Sequence, residues 1–232
     1  MSVYNREESY LKLLAERPYT VRELAEKLFV SEPTVRRDVA SLKERDVVAC
    51  HRGTVRLKSK YADQRIPLFV RQHEYNEEKK SIALKAVQHV HEGDVVMLDA
   101  STTAYHLLPH LAAFKNILLI TNGAKTAIDA ATMGIRTICT GGELTEESFS
   151  YVGSDAERTL RQYNADVAFF SSRGVSSEGL VTDNSILENS IRRIMITHAK
   201  KKYLLADQNK FGRTYFKTLC TKDDLDGIIT NK

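Results

Sequence analysis

Five apolar runs recur between Val95 and Ala206: "VVMLD" from Val95, "ILLIT" from Ile117, "IRTICT" from Ile135, "VAFFSS" from Val167 and "KYLLA" from Lys202. Each is followed by a helical pattern or a polar turn. Short continuous apolar runs of this kind are strands buried on both faces, and strands alternating with helices imply a mainly parallel sheet covered by helices on both sides. Ligands of such sheets bind beyond the carboxyl ends of the strands, so the residues that end these runs become candidate site residues.

Those residues form a set. "LDASTTAYHLL" ends a strand in Asp99 and opens a helix with Ser101, Thr102 and Thr103, where hydroxyls and free amides suit a phosphate; the same residues also read as an N-cap with spare hydroxyls. "ITNGAKTA" repeats the arrangement with Thr121, Asn122 and Gly123, and "GGEL" supplies Gly141 and Gly142, where backbone can approach a ligand closely or simply turn. Three such strand ends on one sheet edge point to a phosphate-sugar pocket. Arg173 follows "VAFFSS" and precedes Gly174, so it is expected at the same edge. A guanidinium there binds a second anionic group bidentately; its other reading is a salt bridge to Glu178 or to an acidic residue of a partner subunit.

The first sixty residues have a different pattern. Tyr10, Leu11, Leu13 and Leu14 predict a helix over about Glu7 to Ala15, stopped near Arg17 and Pro18. Thr20 with Glu23 has the form of a capping box, so a second helix is expected from Val21 with Leu24, Ala25 and Leu28 buried. Ser31 is the expected N-cap of a third, in which Val35, Val39 and Leu42 face inward. At about 100° per residue, Arg37 lies opposite that stripe and Arg36 on its flank, with Thr34 and Ser41 also outward. Two short helices joined by a tight turn are a helix-turn-helix, and a polar, basic outer face near the start of the second suits the major groove, where arginine pairs with guanine edges and hydroxyls bind phosphate. A solvated face is the plainer reading of that helix alone. The following "VVACHRGTVRL" reads as a hairpin around His51-Arg52-Gly53, which makes the unit a winged helix with Arg52 at the wing tip and Arg56 and Lys58 behind it. Met1 to Lys58 carries 12 Lys and Arg against 9 Asp and Glu, so most of the net charge of +4 lies here.

At 232 residues the chain has room for one small and one medium domain. Cys50, Cys139 and Cys220 are widely spaced and form no C-x-x-C, so neither a disulfide framework nor a metal site is indicated, and no cofactor is expected. "MSVYNREESY" lacks the apolar core of a signal peptide, and no apolar run approaches the roughly 20 residues that span a bilayer. A cytoplasmic protein with no membrane partner is the expectation.

These stretches together resemble the DeoR family of bacterial sugar-responsive repressors. "ELAEKLFVSEPTVRRDVASL" is similar to that family's helix-turn-helix signature, and "MLDASTTA", "ITNG", "GGEL", "VGSDAE" and "LLADQNKF" look like successive signatures of its sensor domain. The resemblance implies an α/β chain: an N-terminal winged helix-turn-helix domain (1–60), a linker (61–76) and a C-terminal mainly parallel α/β sensor domain (77–232), similar in fold to ribose-5-phosphate isomerase. It further implies a repressor of a sugar-metabolism operon, with double-stranded operator DNA and a phosphorylated sugar effector as partners. A homodimer or higher homo-oligomer follows, since paired half-sites need paired recognition helices. By the same match Asp183, Glu188 and Lys210 fall among the polar pocket residues; read singly, they are a cap, an i,i+4 partner of Arg192 and a solvated lysine. Two departures stand out: Arg52 replaces a glycine of the family's wing tip, and Ser101 stands where the family has glycine. The rival reading is a sugar-phosphate isomerase or deaminase. That chemistry needs a carboxylate base, and "FFSSRGVSSEG" offers none before Glu178, so no catalysis is expected. A constitutive architectural DNA-binding protein, the third possibility, has no need of a ligand-shaped second domain.

Overall fold

The computed structural model describes residues 6, 9, 10, 13, 14, 17–44, 47–57, 71 and 75–232. By internal contacts the chain divides into two compact units, Met1–Glu74 and Tyr75–Lys232. Of the expected first helix, Ser9, Tyr10, Leu13 and Leu14 are described and helical, as is Arg6 just before it, while Leu11 lies outside the described residues. Lys58 and all of the expected linker except Arg71, Tyr75 and Asn76 lie outside the described residues.

In the first unit the capping box at Thr20 is formed: Thr20 Oγ1 accepts from the Glu23 amide at 3.1 Å, and the Glu23 carboxylate accepts from the Thr20 amide at 2.7 Å. Those bonds to Thr20, joined by one from Arg17, hold the Glu23 carboxyl down at about 2. Helix α1 (Val21–Leu28) starts there and ends at Phe29, whose left-handed backbone (φ 53°) reverses the chain. Helix α2 (Glu32–Glu44) follows, and its Val35, Val39 and Leu42 enter one core with Leu24, Ala25, Tyr10 and Tyr19. Strands β2 (Val48–His51) and β3 (Thr54–Leu57) form the wing; His51 pairs with Thr54, so Arg52-Gly53 is a two-residue turn. Both turn residues have positive φ, 49° and 76°, the conformation whose twist matches a hairpin. A short strand β1 (Tyr19–Thr20), which nothing in the sequence announces, extends this sheet by pairing with β3.

The second unit opens with α3 (Asn76–Ala86), continued as a 3₁₀ turn to His89. Its centre is a six-stranded, wholly parallel sheet of β4 (Val95–Leu98), β5 (Leu118–Thr121), β6 (Arg136–Cys139), β9 (Ala165–Ser171), β12 (Ala199–Leu205) and β14 (Gly227–Ile229), in the order β14-β12-β9-β4-β5-β6. All five apolar runs are strands of it. Alternation along each strand serves both faces. Val96, Leu98, Leu119, Val167 and Phe169 pack with Ile82 and Ala86 of α3 and with Leu108 and Leu111 of the short helix α5 (Leu108–Leu111). Met97, Ile120 and Ala168 point the other way, onto α7 (Gly153–Leu160) and α8 (Ile186–His198). The two remaining helices, α4 (Thr102–Tyr105) and α6 (Ala124–Thr132), follow β4 and β5.

Two small sheets were not legible in the sequence. An antiparallel one, β10 (Gly174–Val175), β11 (Leu180–Asp183) and β13 (Lys217–Thr221), buries Val175, Val181 and Leu219 against Phe170 and Leu204; a second pairs β7 (Glu143–Leu144) with β8 (Tyr151–Val152). From β4 the chain steps outward to β5 and β6, then returns to β9 on the other side of β4 and steps outward to β12 and β14. The reversal lies between β4 and β9, where the connections diverge and open a crevice at the carboxyl edge. No described helix is long and apolar enough to cross a membrane.

Candidate functional site

In the first unit the outward face of α2 is as expected. Ser31, Arg36, Arg37 and Ser41 are exposed and Thr34 is partly so. Ser31 and Thr34 hold each other's hydroxyls at 3.0 Å in the first turn. The two arginines differ: Arg36 lies 3.2 Å from Glu32 one turn back, whereas Arg37 makes no ion pair or hydrogen bond with the described residues. Opposite them, Asp38 anchors α2 to the preceding helical residues by accepting from Arg6 (3.2 Å) and from the Tyr10 hydroxyl (3.3 Å). Burial of Tyr10, together with the Asp38 charge and hydrogen bond, pushes the phenol up to about 12. Arg52 is exposed at the wing tip, as the hairpin reading required.

In the second unit the crevice between β4 and β9 is filled by charge. Asp99, one residue past β4, accepts from the amides of Ser101 (3.1 Å) and Ser171 (3.3 Å). Arg192 of α8 reaches it: Nε donates to Asp99 at 2.9 Å, Nη1 to Asp183 at 3.0 Å, and Nη2 to Glu188 at 3.3 Å. Only 7% of the Arg192 side chain is exposed. Burial opposes its charge, but Asp183, Asp99 and Glu188 outweigh that and hold the guanidinium above its usual pKa. Asp183 ends β11 and also accepts the amides of Asn184 and Ser185 just ahead of α8; the cap itself is Ser185, whose hydroxyl accepts from the Glu188 amide at 3.2 Å, so Asp183 belongs to the cluster and not to the cap. Glu188 is the i,i+4 partner of Arg192 and takes the Ser150 hydroxyl at 2.9 Å. Ser150 in turn lies within 2.9 Å of both Thr145 and Ser148, a knot of three hydroxyls on the loop between β7 and β8.

Lys210 is no solvated lysine. Its stem is partly accessible, but its amino group donates to Ser171 Oγ at 2.6 Å, and burial lowers its pKa against the pull of Asp207, Asp99 and Asp183. Arg173 stands at the same edge with Nε 3.6 Å from Asp183, not paired with Glu178, whose own partner is Ser177. The structure therefore brings Asp99, Arg173, Asp183, Glu188 and Lys210 into one connected group.

The other strand-end candidates divide. Ser101 caps α4 by accepting from the Ala104 amide (3.2 Å), with Thr102 and Thr103 buried behind it. Thr121 Oγ1 accepts the Gly123 amide at 3.1 Å, and a Cβ on Gly123 would meet Thr126 Oγ1 at 2.7 Å, so this turn needs glycine for packing. Gly142 is crowded in the same way, since a Cβ there would lie 2.7 Å from the Val152 carbonyl and 3.0 Å from Ala156 of α7, whereas one on Gly141 would meet nothing within 4 Å. Sequence reasoning missed Arg192 as the hub. The signal was present: "SIRRIM" places an arginine inside a stripe whose Ile191, Ile194 and Met195 are buried, four residues after a glutamate.

A winged helix-turn-helix with an exposed basic face, carried on one chain with an α/β unit whose strand ends converge on a charged crevice, defines a DNA-binding regulator with a sensor domain. Comparison with known proteins agrees: residues 6–61 match the DeoR-like helix-turn-helix domain and residues 74–232 the DeoR C-terminal sensor domain. The chain belongs to the DeoR family of transcriptional regulators. It is 31% identical to the lactose phosphotransferase system repressor of Staphylococcus epidermidis, over 100% of this chain and 93% of that protein. It is 32% identical to the transcriptional repressor GlcR of Bacillus subtilis, over 92% and 82%. In fold it is similar to eIF2B delta from Chaetomium thermophilum (TM-score 0.53, 16% identity, 68% of this chain and 57% of that one). Ribose 5-phosphate isomerase A from Methanocaldococcus jannaschii aligns at TM-score 0.44 and 17% identity, over 59% of this chain and 54% of the isomerase. The protein is thus a DNA-binding transcriptional regulator and not an enzyme.

Proposed function

We propose that this regulator is a repressor of a sugar-metabolism operon, at least dimeric on its operator, and that a phosphorylated sugar bound at the carboxyl edge of the α/β sheet sets its DNA affinity. The carrying observation is the meeting of Asp99, Asp183, Glu188, Arg192 and Lys210 at the crevice between β4 and β9, where open α/β sheets take their ligands. The name of one relative, a lactose phosphotransferase system repressor, supports a sugar-linked role. Carboxylates suit sugar hydroxyls, and Lys210 and Arg173 suit an anionic group. An effector alters operator affinity only insofar as it prefers one arrangement of the DNA-binding domains. The test pairs thermal-shift screening of sugar phosphates with operator mobility shifts. One sugar phosphate should raise the melting temperature by mass action and change the mobility shift. A panel in which no compound does both counts against the proposal.

Two predictions follow from single residues. Replacing Arg52 with asparagine, which tolerates the left-handed backbone better, removes the wing-tip charge without straining the turn. Affinity should then fall alike for all DNA sequences, and the salt dependence should flatten by about one unit. Loss at a single base position would instead mean that Arg52 reads sequence. For Arg173→Ala, a bis-anionic sugar phosphate should lose more affinity than a mono-anionic one, because the guanidinium supplies a second anionic contact beside Asp183. Calorimetric titration of both ligands decides it, and equal losses would remove Arg173 from any such selection.

A further inference from the structure

Asn122 follows β5 at the carboxyl edge with 2% of its surface exposed. Among the described residues its Oδ1 is the one buried side-chain polar atom without a hydrogen-bond partner. The orientation of the amide is dictated by its surroundings: Nδ2 donates to the Tyr151 carbonyl at 3.0 Å, and the Tyr151 amide donates to the Asn122 backbone carbonyl at 2.7 Å. Exchanging nitrogen and oxygen would set two carbonyl oxygens against each other, so the acceptor faces away from Tyr151. A buried acceptor left without a donor is costly, and a native fold keeps one only for a reason.

The position supplies that reason. Gly123 packs on the turn that opens α4, since a Cβ on it would stand 3.1 Å from Ala100 Cα. Gly123 is also bridged to Ser150, whose hydroxyl goes to Glu188. Asn122 thus sits between the Ser101–Thr103 segment and the carboxylates gathered by Arg192, within the proposed effector site. Its free oxygen accepts and does not donate, so it suits a hydroxyl group and repels an ionised phosphate oxygen.

Resting on the effector reading above, we propose that Asn122 Oδ1 accepts a hydrogen bond from one hydroxyl of the effector and selects a fully hydroxylated sugar chain over a deoxygenated one. The phosphate binds elsewhere in the site. The test is calorimetric titration of the full chain with D-ribose 5-phosphate, D-glucose 6-phosphate and D-fructose 6-phosphate, with the unphosphorylated sugars, and with the singly deoxygenated analogues of whichever binds most tightly. On the wild type one analogue should bind about 10- to 100-fold more weakly than its parent, and in Asn122→Leu parent and analogue should bind alike. If every analogue stays within about threefold of its parent on the wild type, the assignment is overturned and a buried water is the partner. That arm needs no variant to fold. Discrimination that persists in Asn122→Leu overturns it as well. If a free sugar binds as tightly as its phosphate and still depends on Asn122, the hydroxyl contact holds and the phosphorylated effector does not. If none of the compounds binds, both readings fall.

Discussion

Replacement of Arg192 by methionine should destabilise the α/β unit by roughly 3–5 kcal/mol, the usual cost of stranding buried charges after removal of one partner. Three carboxylates, from Asp99, Asp183 and Glu188, converge on this guanidinium, and the first two are almost wholly buried. Without it they face one another in the crevice stripped of the counter-charge they share. Urea denaturation of wild type and Arg192→Met should show that loss, and a gap under about 1 kcal/mol would mean that the cluster is not organised by Arg192.

Loss of both Arg36 and Arg37 should abolish specific operator binding at moderate salt, each residue contributing about 1–3 kcal/mol if it reads a guanine edge. The two should not be equal. Arg37 is free to enter a groove, whereas Arg36 must first leave Glu32, a weak exposed pair. Mobility shifts with Arg36→Ala, Arg37→Ala and the double variant decide this. Glu32→Ala adds a control, because freeing Arg36 should not weaken binding. Operator affinity unchanged in the double variant would remove α2 from recognition.

Local chemistry was enough for much of this molecule. The capping box at Thr20 and Glu23, the stripe Val35, Val39, Leu42 and the two-residue turn at Arg52-Gly53 each depend on neighbours within one helical turn or one hairpin, so the winged helix was legible from spacing. Among the five apolar runs, those of the sheet's interior became strands because burial on both faces leaves a continuous apolar signature, whereas β6 at the sheet edge has no buried residue. Asp99, Ser101, Asn122 and Arg173 were placed at the sheet edge because a parallel sheet puts every strand's carboxyl end on the same side.

What only the tertiary structure decided are the partners across that edge. Arg192 lies 93 positions from Asp99 and nine from Asp183, and nothing in the intervening sequence states that the three meet. Strand order does so, because β9 returns beside β4 and carries the β11–α8 segment over the crevice. The same holds for Asn122. Its residue type and its place after a strand were visible, but its acceptor is left without a donor because Tyr151 takes the Nδ2 end, and Tyr151 belongs to the short hairpin β7–β8, whose strands of two residues each are too brief to leave a period. Sequence specifies local geometry through dihedral preference and alternation of polarity. Long-range pairing of charges depends on the order in which strands assemble, and one chain read alone carries no periodic trace of it.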